Sequence, residues 1–156
     1  MPKSVQYIEI IAPADKVWHL ITDPTEFQFW APNVRDLDHA PKGDLDVGVR
    51  RNFRLDIQGK IETLETTVTH FTAGESYAES PSGGSLKLHE KVEYLKMIYR
   101  VEPVDNKTCT LRFTFDYEMK GLMNKMLEKV VMGTFTAQLK LWFERLKTYA
   151  ETGRPV

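Results

Sequence analysis

Residues 109–119 read CTLRFTFDYEM and residues 121–151 read GLMNKMLEKVVMGTFTAQLKLWFERLKTYAE, and these adjoining stretches have different periods. In the first, every second residue is apolar, which is typical of an antiparallel strand with one buried face. In the second, apolar residues recur at helical spacing, and Gly153 and Pro155 supply a C-terminal stop. This helix should span about 45 Å at about 1.5 Å per residue. Because its apolar arc is broad and lacks strict heptads, the pattern favours packing against a curved sheet.

The period of two also runs through most of the chain upstream, from residue 33 to residue 120. Residues 47–57 alternate between apolar and polar side chains, and Gln58-Gly59 is expected to form a tight turn after them. This alternation predicts an antiparallel sheet that is covered on one face. We expect about seven strands, formed by residues 3–11, 34–39, 47–57, 64–68, the segment between the reversals at 72–75 and 81–84, 86–101, and 109–119.

Two short helices are predicted between the first and second strands. In Ala12-Pro13-Ala14-Asp15-Lys16-Val17-Trp18, the proline suits the first helical turn because its missing N–H would have no partner there. In Asp23-Pro24-Thr25-Glu26-Phe27, the aspartate is expected to accept hydrogen bonds from the free amides at the start of the second helix. Apolar residues follow at helical spacing in both segments, and Pro32 ends the second helix.

Length and composition favour one domain over residues 1–156, because 42% hydrophobic residues suffice for a core. The formal net charge of -1 gives no electrostatic reason to expect nucleic acid as a partner. Cys109 is the single cysteine and is interpreted as a core residue, since it cannot form an internal disulfide or a cysteine-based zinc cluster. No stretch approaches the ~20 apolar residues of a membrane span. We expect a cytoplasmic protein without integral membrane association, metal or cofactor, and the oligomeric state stays open.

The order of elements and two short motifs together resemble a known superfamily. The motifs are residues 12–18 and residues 23–27 with Trp30, and Gly48 opens the third strand. The chain resembles the SRPBCC superfamily, which has the START/Bet v1 helix-grip fold, and within it the polyketide cyclase/dehydrase-like branch. The resemblance implies an α+β fold: a curved antiparallel sheet of about seven strands wraps around a long C-terminal helix, with two short helices between strands 1 and 2. Superfamily members bind lipids, sterols, hormones or polyketides, catalyse cyclisation, or serve as protein-binding modules.

A curved sheet and one helix leave a hollow between them, which side chains, water or a ligand must fill. Arg51 is in phase with Val49 and Phe53 and is therefore expected on the inward face, where a charge needs a partner or water. Glu93 shares that face if odd-numbered residues of its strand point inward, whereas a shift of one residue turns the even-numbered ones inward. The expected ligand-binding residues are Arg51, Phe53, Leu64, Thr66, Val68, Glu93, Met97, Tyr99, Phe113, Phe115, Tyr117, Met126, Val130 and Thr134.

Three functions fit these residues, and the first is favoured. In the first, the protein binds or transports a hydrophobic small molecule, lipid-like or aromatic and polyketide-like, in the hollow between the sheet and the C-terminal helix. The alternative is a polyketide cyclase/dehydrase-type enzyme in which Arg51, Glu93 or His70 moves protons. His70 is expected near the mouth of the hollow, because it continues the face of Leu64, Thr66 and Val68. A second alternative is a co-chaperone-like module that binds another protein through an exposed apolar patch.

Overall fold

The computed structural model describes residues 3–155, including their side chains except those of residues 122–132, 134 and 135. Among these residues, seven strands form one antiparallel sheet in the order β1-β7-β6-β5-β4-β3-β2. The predicted helix-grip fold is confirmed, with two short helices between the first two strands and a long C-terminal helix. The elements are β1 (Lys3–Ile10), α1 (Ala14–Thr22), α2 (Phe27–Trp30), β2 (Val34–Ala40), β3 (Arg50–Ile57), β4 (Lys60–Thr72), β5 (Ser76–Gly83), α3 (Leu88–Lys91), β6 (Val92–Pro103), β7 (Cys109–Met119) and α4 (Leu122–Thr152).

The alternating apolar residues of β7 all lie on the buried face of the sheet, as the sequence predicted. We call this face, which also carries Arg51 and Phe53 of β3, the concave face. Its β7 members are Cys109, Leu111, Phe113, Phe115, Tyr117 and Met119. This face carries most of the buried apolar side chains of the strands and forms one continuous core with the helices.

The C-terminal half of α4 packs on the concave face through a small set of buried side chains. Phe143, Leu146 and Ala150 are buried, and the Phe143 ring lies 5.2 Å from that of Phe113. Gly153 has a φ of 72° and donates its N–H to the Tyr149 carbonyl at 2.8 Å, so it ends the helix as predicted.

Three details differ from the prediction, and each reflects a local interaction. The second helix begins at Phe27 because Asp23 accepts hydrogen bonds from Thr25 and forms a turn before it. The predicted reversal at 81–84 is wrong, since β5 continues to Gly83 through a shift in its pairing with β4. The reversal follows at residues 84–87, and residues 88–91 form the short helix α3 instead of a strand.

The chain reversal after β5 depends on the glycine at position 84. Its φ is +102°, and a Cβ at this position would lie 2.4 Å from the Thr63 carbonyl oxygen. Gly84→Ala should therefore lower the free energy of unfolding by about 2–3 kcal/mol through strain and overlap with β4. Gly74→Ala is the matched control, because its φ is also positive but no atom lies within 4 Å of the new Cβ. Urea unfolding should show the larger loss for Gly84→Ala, and equal losses would contradict the steric account.

Candidate functional site

The candidate site is centred on Arg51, a charged side chain that is 0% exposed on the concave face. β3 places it there because it is in phase with Val49 and Phe53, both of which are buried. Its neighbours across the sheet are His39 on β2 and Thr66 on β4, and both are buried as well. A row of polar residues thus crosses three strands within an otherwise apolar face.

A hydrogen-bonded chain through Tyr77 and an ion pair with Glu79 hold the Arg51 guanidinium in place. Arg51 Nη1 donates to Tyr77 Oη at 2.9 Å, and Tyr77 Oη donates to the Ile21 carbonyl of α1 at 2.7 Å. Glu79, which is 1% exposed, places Oε2 3.6 Å from Arg51 Nη1 and accepts a hydrogen bond of 2.8 Å from Thr66 Oγ1. The buried positive charge is therefore paired with a buried negative charge, which limits the free energy cost of burying either one.

Aromatic rings surround the same guanidinium. Arg51 Cζ lies 4.7 Å from the Phe27 ring centroid, 5.3 Å from that of Phe53 and 5.5 Å from that of Tyr77. Tyr77 in turn stacks on Tyr99 at 4.6 Å. Rings at these distances attract the cation through their negative faces, and the attraction is strong in a site that excludes water.

Tyr77, Tyr99 and Arg51 keep their protons at neutral pH. Burial, the largest cause, raises the pKa of both Tyr77 and Tyr99, so their hydroxyls keep their protons. Burial opposes the charge of Arg51, yet Tyr77 and Glu79 beside it hold the pKa of the guanidinium above its ordinary value. Because Glu79 balances the guanidinium charge, the cluster can donate hydrogen bonds to a neutral oxygen.

Two N–H donor groups of Arg51 have no acceptor among the described residues. Among the described residues, neither Nε nor Nη2 has a hydrogen-bond partner, although both atoms are buried. A buried N–H without an acceptor costs about 1–3 kcal/mol, so these two groups favour an additional oxygen nearby. Glu79 already balances the charge, and the arrangement therefore suits a neutral acceptor such as a carbonyl, a hydroxyl or water.

Most of the predicted site residues lie together on the concave face. Nine of them are buried there, and Leu64 is partly buried against them. The side chains of Met126, Val130 and Thr134 lie outside the described residues. A ligand-binding role for this set, and the hollow beneath residues 122–135, stay predictions. The nine buried residues are Arg51, Phe53, Thr66, Val68, Met97, Tyr99, Phe113, Phe115 and Tyr117.

The predicted inward orientation of Glu93 is wrong. The pairing of β6 with β7 shifts between Val92 and Tyr94, so Glu93 is the extra residue of a bulge and is exposed. Val92 and Leu95 are both buried on either side of this irregularity. From Leu95 to Val101 the odd-numbered residues do point inward, so the expected phase holds beyond the bulge.

The predicted position of His70 beside the hollow is also wrong, for a similar reason. The pairing of β4 with β5 shifts between Val68 and His70, and the phase of the strand changes there. His70 is exposed, and its Nδ1 lies 3.2 Å from Thr69 Oγ1. Phe71 takes the place nearest the core and packs on Trp18, with 5.8 Å between ring centroids. Neither Glu93 nor His70 therefore joins Arg51.

Sequence reasoning missed the two residues that contact Arg51 most closely among the polar groups, Tyr77 and Glu79. Both come from β5, a strand whose sequence is dominated by the turn residues on either side of it. The sequence does indicate that they share a face, because a tyrosine and a glutamate two residues apart in a strand point to the same side of the sheet. Placing that face opposite Arg51 requires the order of the strands, which no local pattern contains.

Cys109 is a core residue with an unreactive thiol, which leads to the second prediction. Burial raises its pKa to about 11 from 9.0, so the thiolate fraction near pH 8 falls by about 100-fold. Reaction with 5,5′-dithiobis(2-nitrobenzoate) should be at least about 100-fold slower in the native protein than in urea-unfolded protein. A native rate close to the unfolded rate would show that the thiol is accessible and ionised, against this placement.

Within the described residues, each helix is too short or too polar to span a lipid bilayer.

In fold, the chain is similar to several solved structures. Major latex-like protein 151 of Panax ginseng has a TM-score of 0.75 at 16% identity, with 96% of this chain and 97% of that chain covered. A norcoclaurine synthase point mutant of Thalictrum has a TM-score of 0.70 at 17% identity, covering 96% and 93% of the two chains. A START superfamily protein of Mycobacterium smegmatis has a TM-score of 0.68 at 14% identity, covering 95% and 96%.

These likenesses concern the fold, since the sequence identities are low. Curated protein sequences contain no match to the chain. The family model described as polyketide cyclase / dehydrase and lipid transport matches residues 1–151. Because that match covers nearly the whole length, the chain belongs to the polyketide cyclase/dehydrase and lipid transport family.

Proposed function

We propose that the protein binds a hydrophobic small molecule, lipid-like or aromatic, between the concave face and α4, and that Arg51 donates hydrogen bonds to an oxygen of that molecule. The observation that carries the proposal is the pair of buried Arg51 donors, Nε and Nη2, which have no acceptor among the described residues. Both atoms are buried, so a ligand that brings an oxygen would remove the cost of leaving them unpaired.

The surrounding residues narrow the chemistry of the ligand. Phe113, Phe115 and Tyr117 line the same face with rings 5.4–6.2 Å apart, and Met97 lies opposite Phe115 in the neighbouring strand. Aromatic rings and a flexible thioether suit an apolar or aromatic body. Because Glu79 already balances Arg51, the preferred oxygen is a carbonyl, a hydroxyl or a phenol, and a carboxylate would leave an uncompensated negative charge.

Family membership supports this function at a coarser level. The family description includes lipid transport beside cyclase and dehydrase activity, so a hydrophobic ligand is consistent with the relatives. A transport role and a location in the cytoplasm remain predictions.

The enzyme alternative gains no support from the described residues. Of the three groups that it invokes, His70 and Glu93 face outward and only Arg51 is inside. Tyr77 and Tyr99 keep their protons at neutral pH because burial raises the pKa of each, so neither supplies a base. We therefore place binding before catalysis.

The test compares two nearly isosteric probes, 2-naphthol and 2-methylnaphthalene, which differ only in a hydroxyl against a methyl group. The protein is first inspected as purified by native mass spectrometry for a bound molecule, and then stripped of it. Thermal unfolding at equal probe concentration should show a larger stabilisation by 2-naphthol, because a ligand stabilises the folded state according to its affinity.

The matched variants are Arg51→Lys and Arg50→Lys, which change neighbouring positions on opposite faces of β3. Arg51→Lys keeps the charge but removes the fork of donors, so it should abolish the preference for 2-naphthol. Arg50→Lys should leave it intact, since Arg50 is exposed. Absence of a copurified molecule together with no stabilisation by either probe would contradict the proposed function. Stabilisation that is equal for both probes would contradict the role of Arg51.

A further inference from the structure

An open pocket of about 620 Å³ adjoins the Arg51 cluster, because its lining residue His39 pairs with Arg51 across β2 and β3. It is bounded by α1, by the loop between β2 and β3, and by the turn between β4 and β5. Its described lining includes none of Arg51, Tyr77 and Glu79, so it does not belong to the site already proposed. Its lining includes the rings of Trp18 and Phe71, the carboxylates of Asp23, Asp44 and Asp46, and the imidazole of His39.

Two aromatic rings form part of the wall. Trp18 and Phe71 have ring centroids 5.8 Å apart with an angle of 55° between their planes, and both side chains are partly exposed. The exposed parts of such rings attract cations through the negative charge of their faces, and tryptophan does so most strongly.

Three carboxylates line the same pocket. Asp44 and Asp46 are exposed on the β2–β3 loop, and Asp23 is partly buried after α1. Partial burial opposes the charge of Asp23, but hydrogen bonds from Thr25 hold its pKa below the ordinary value, so it is ionised at neutral pH. The described lining contains no lysine or arginine; its His19 Nε2 lies 3.4 Å from Asp23 Oδ2, and the carboxylates of Asp44 and Asp46 leave an excess of negative charge.

His39 adds a neutral acceptor to the wall. It is 3% exposed, its Nδ1 lies 3.3 Å from the Gly43 carbonyl oxygen, and its Nε2 has no hydrogen-bond partner among the described residues. Burial and the nearby Arg51 lower the pKa of His39, which keeps the ring neutral. With the proton on Nδ1 and donated to Gly43, the Nε2 lone pair can accept a hydrogen bond.

We propose that this pocket binds the primary ammonium group of a small organic molecule. The rings attract the cation, the carboxylates balance its charge, and its N–H groups supply the donors that the carboxylates and His39 Nε2 can accept. Aromatic faces distinguish an organic ammonium from a divalent metal ion, which prefers an all-oxygen shell. The inference of an ammonium site does not rest on the hydrophobic ligand proposed above.

The test uses butan-1-amine, which is protonated at neutral pH, against its neutral isostere butan-1-ol, in ¹H–¹⁵N NMR titrations of the full chain at constant ionic strength. The ammonium should shift the Trp18 indole N–H and the amides of residues 43–46 saturably. Five heavy atoms suggest a Kd on the order of 1–10 mM. Butan-1-ol should bind at least about tenfold more weakly, because it lacks the charge. Tetramethylammonium should also bind more weakly, because it has no N–H group.

Two double variants distinguish binding in this pocket from non-specific attraction of the cation to a negatively charged surface. Asp44→Asn/Asp46→Asn should weaken butan-1-amine binding about fivefold. Asp36→Asn/Asp105→Asn removes the same charge from exposed positions outside the described lining and should change the Kd little. Equal effects of the two double variants, equal shifts by butan-1-ol, or no saturable shift would each overturn the proposal. Tetramethylammonium binding as tight as that of butan-1-amine would overturn the role of the N–H groups.

Discussion

Arg51→Met should lower the free energy of unfolding by about 3–5 kcal/mol, whereas Arg50→Met should change it by less than about 0.5 kcal/mol. The two residues are neighbours in β3, but Arg51 is buried and Arg50 is exposed. Removing the Arg51 guanidinium leaves Glu79 as a buried carboxylate whose described hydrogen bond comes only from Thr66. It also deprives the Tyr77 hydroxyl of its donor. An uncompensated buried charge is among the costliest defects in a core.

Urea unfolding of the two variants measures this difference directly. The double variant Arg51→Met/Glu79→Met should recover much of the loss, because it removes both charges together and fills the space with apolar atoms. A loss below about 1 kcal/mol for Arg51→Met would mean that the side chain reaches water, which contradicts the buried site. A double variant no more stable than Arg51→Met would contradict the pairing of Arg51 with Glu79.

Leu146→Ala should lower the free energy of unfolding by about 3–5 kcal/mol, and Leu141→Ala by less than about 0.5 kcal/mol. Both leucines belong to α4, and the same substitution has the same helix propensity at each position. Leu146 is 0% exposed in the core, while Leu141 is 41% exposed. The difference therefore reports how firmly the C-terminal half of α4 packs on the rest of the core.

The measurement is again urea unfolding, with amide hydrogen exchange of α4 as a second readout. Leu146→Ala should also speed exchange in the last turns of the helix, since the helix has lost an anchor. Equal losses for the two variants would contradict the docking of this half of α4 on the core, and with it the architecture that encloses the proposed ligand.

The fold was largely predictable because its main signals are local. The period of two in residues 109–119 identifies the buried face of β7 without knowledge of its neighbours, and the structure confirms it. Gly153 likewise acts where its chemistry predicts, at the end of α4. The turn at Gln58-Gly59 is confirmed, with φ of 54° and 87° at its two residues.

The errors in the site have one physical origin. The predictions for Glu93 and His70 require each strand to keep a constant phase, but a bulge adds an unpaired residue and changes the phase locally. Bulges in β6 and β4 move Glu93 and His70 to the outside, and neither position carries a side chain that marks the irregularity. Arg51 was found because it lies in a regular part of β3.

The partners of Arg51 could not be predicted because they come from another strand. Glu79 and Tyr77 reach it only through the pairing of β4 with β3 and β5, which places residues 26 or more positions apart side by side. The pairing of strands depends on the whole chain, whereas periodicity reports only which face a residue occupies. The periodicity of one strand therefore indicates that Arg51 is buried, but it does not identify the residue that balances its charge.

The most direct measurement of the central claim is the NMR signal of the Arg51 Nε–H group during titration with 2-naphthol, after any copurified molecule has been removed. The account predicts a saturable shift of this signal and magnetisation transfer between the probe and Phe113 on the concave face. It also predicts a smaller shift with 2-methylnaphthalene, which offers no oxygen. An Arg51 signal that stays unchanged at saturating 2-naphthol, or responds equally to both probes, would contradict the claim that this arginine anchors an apolar ligand.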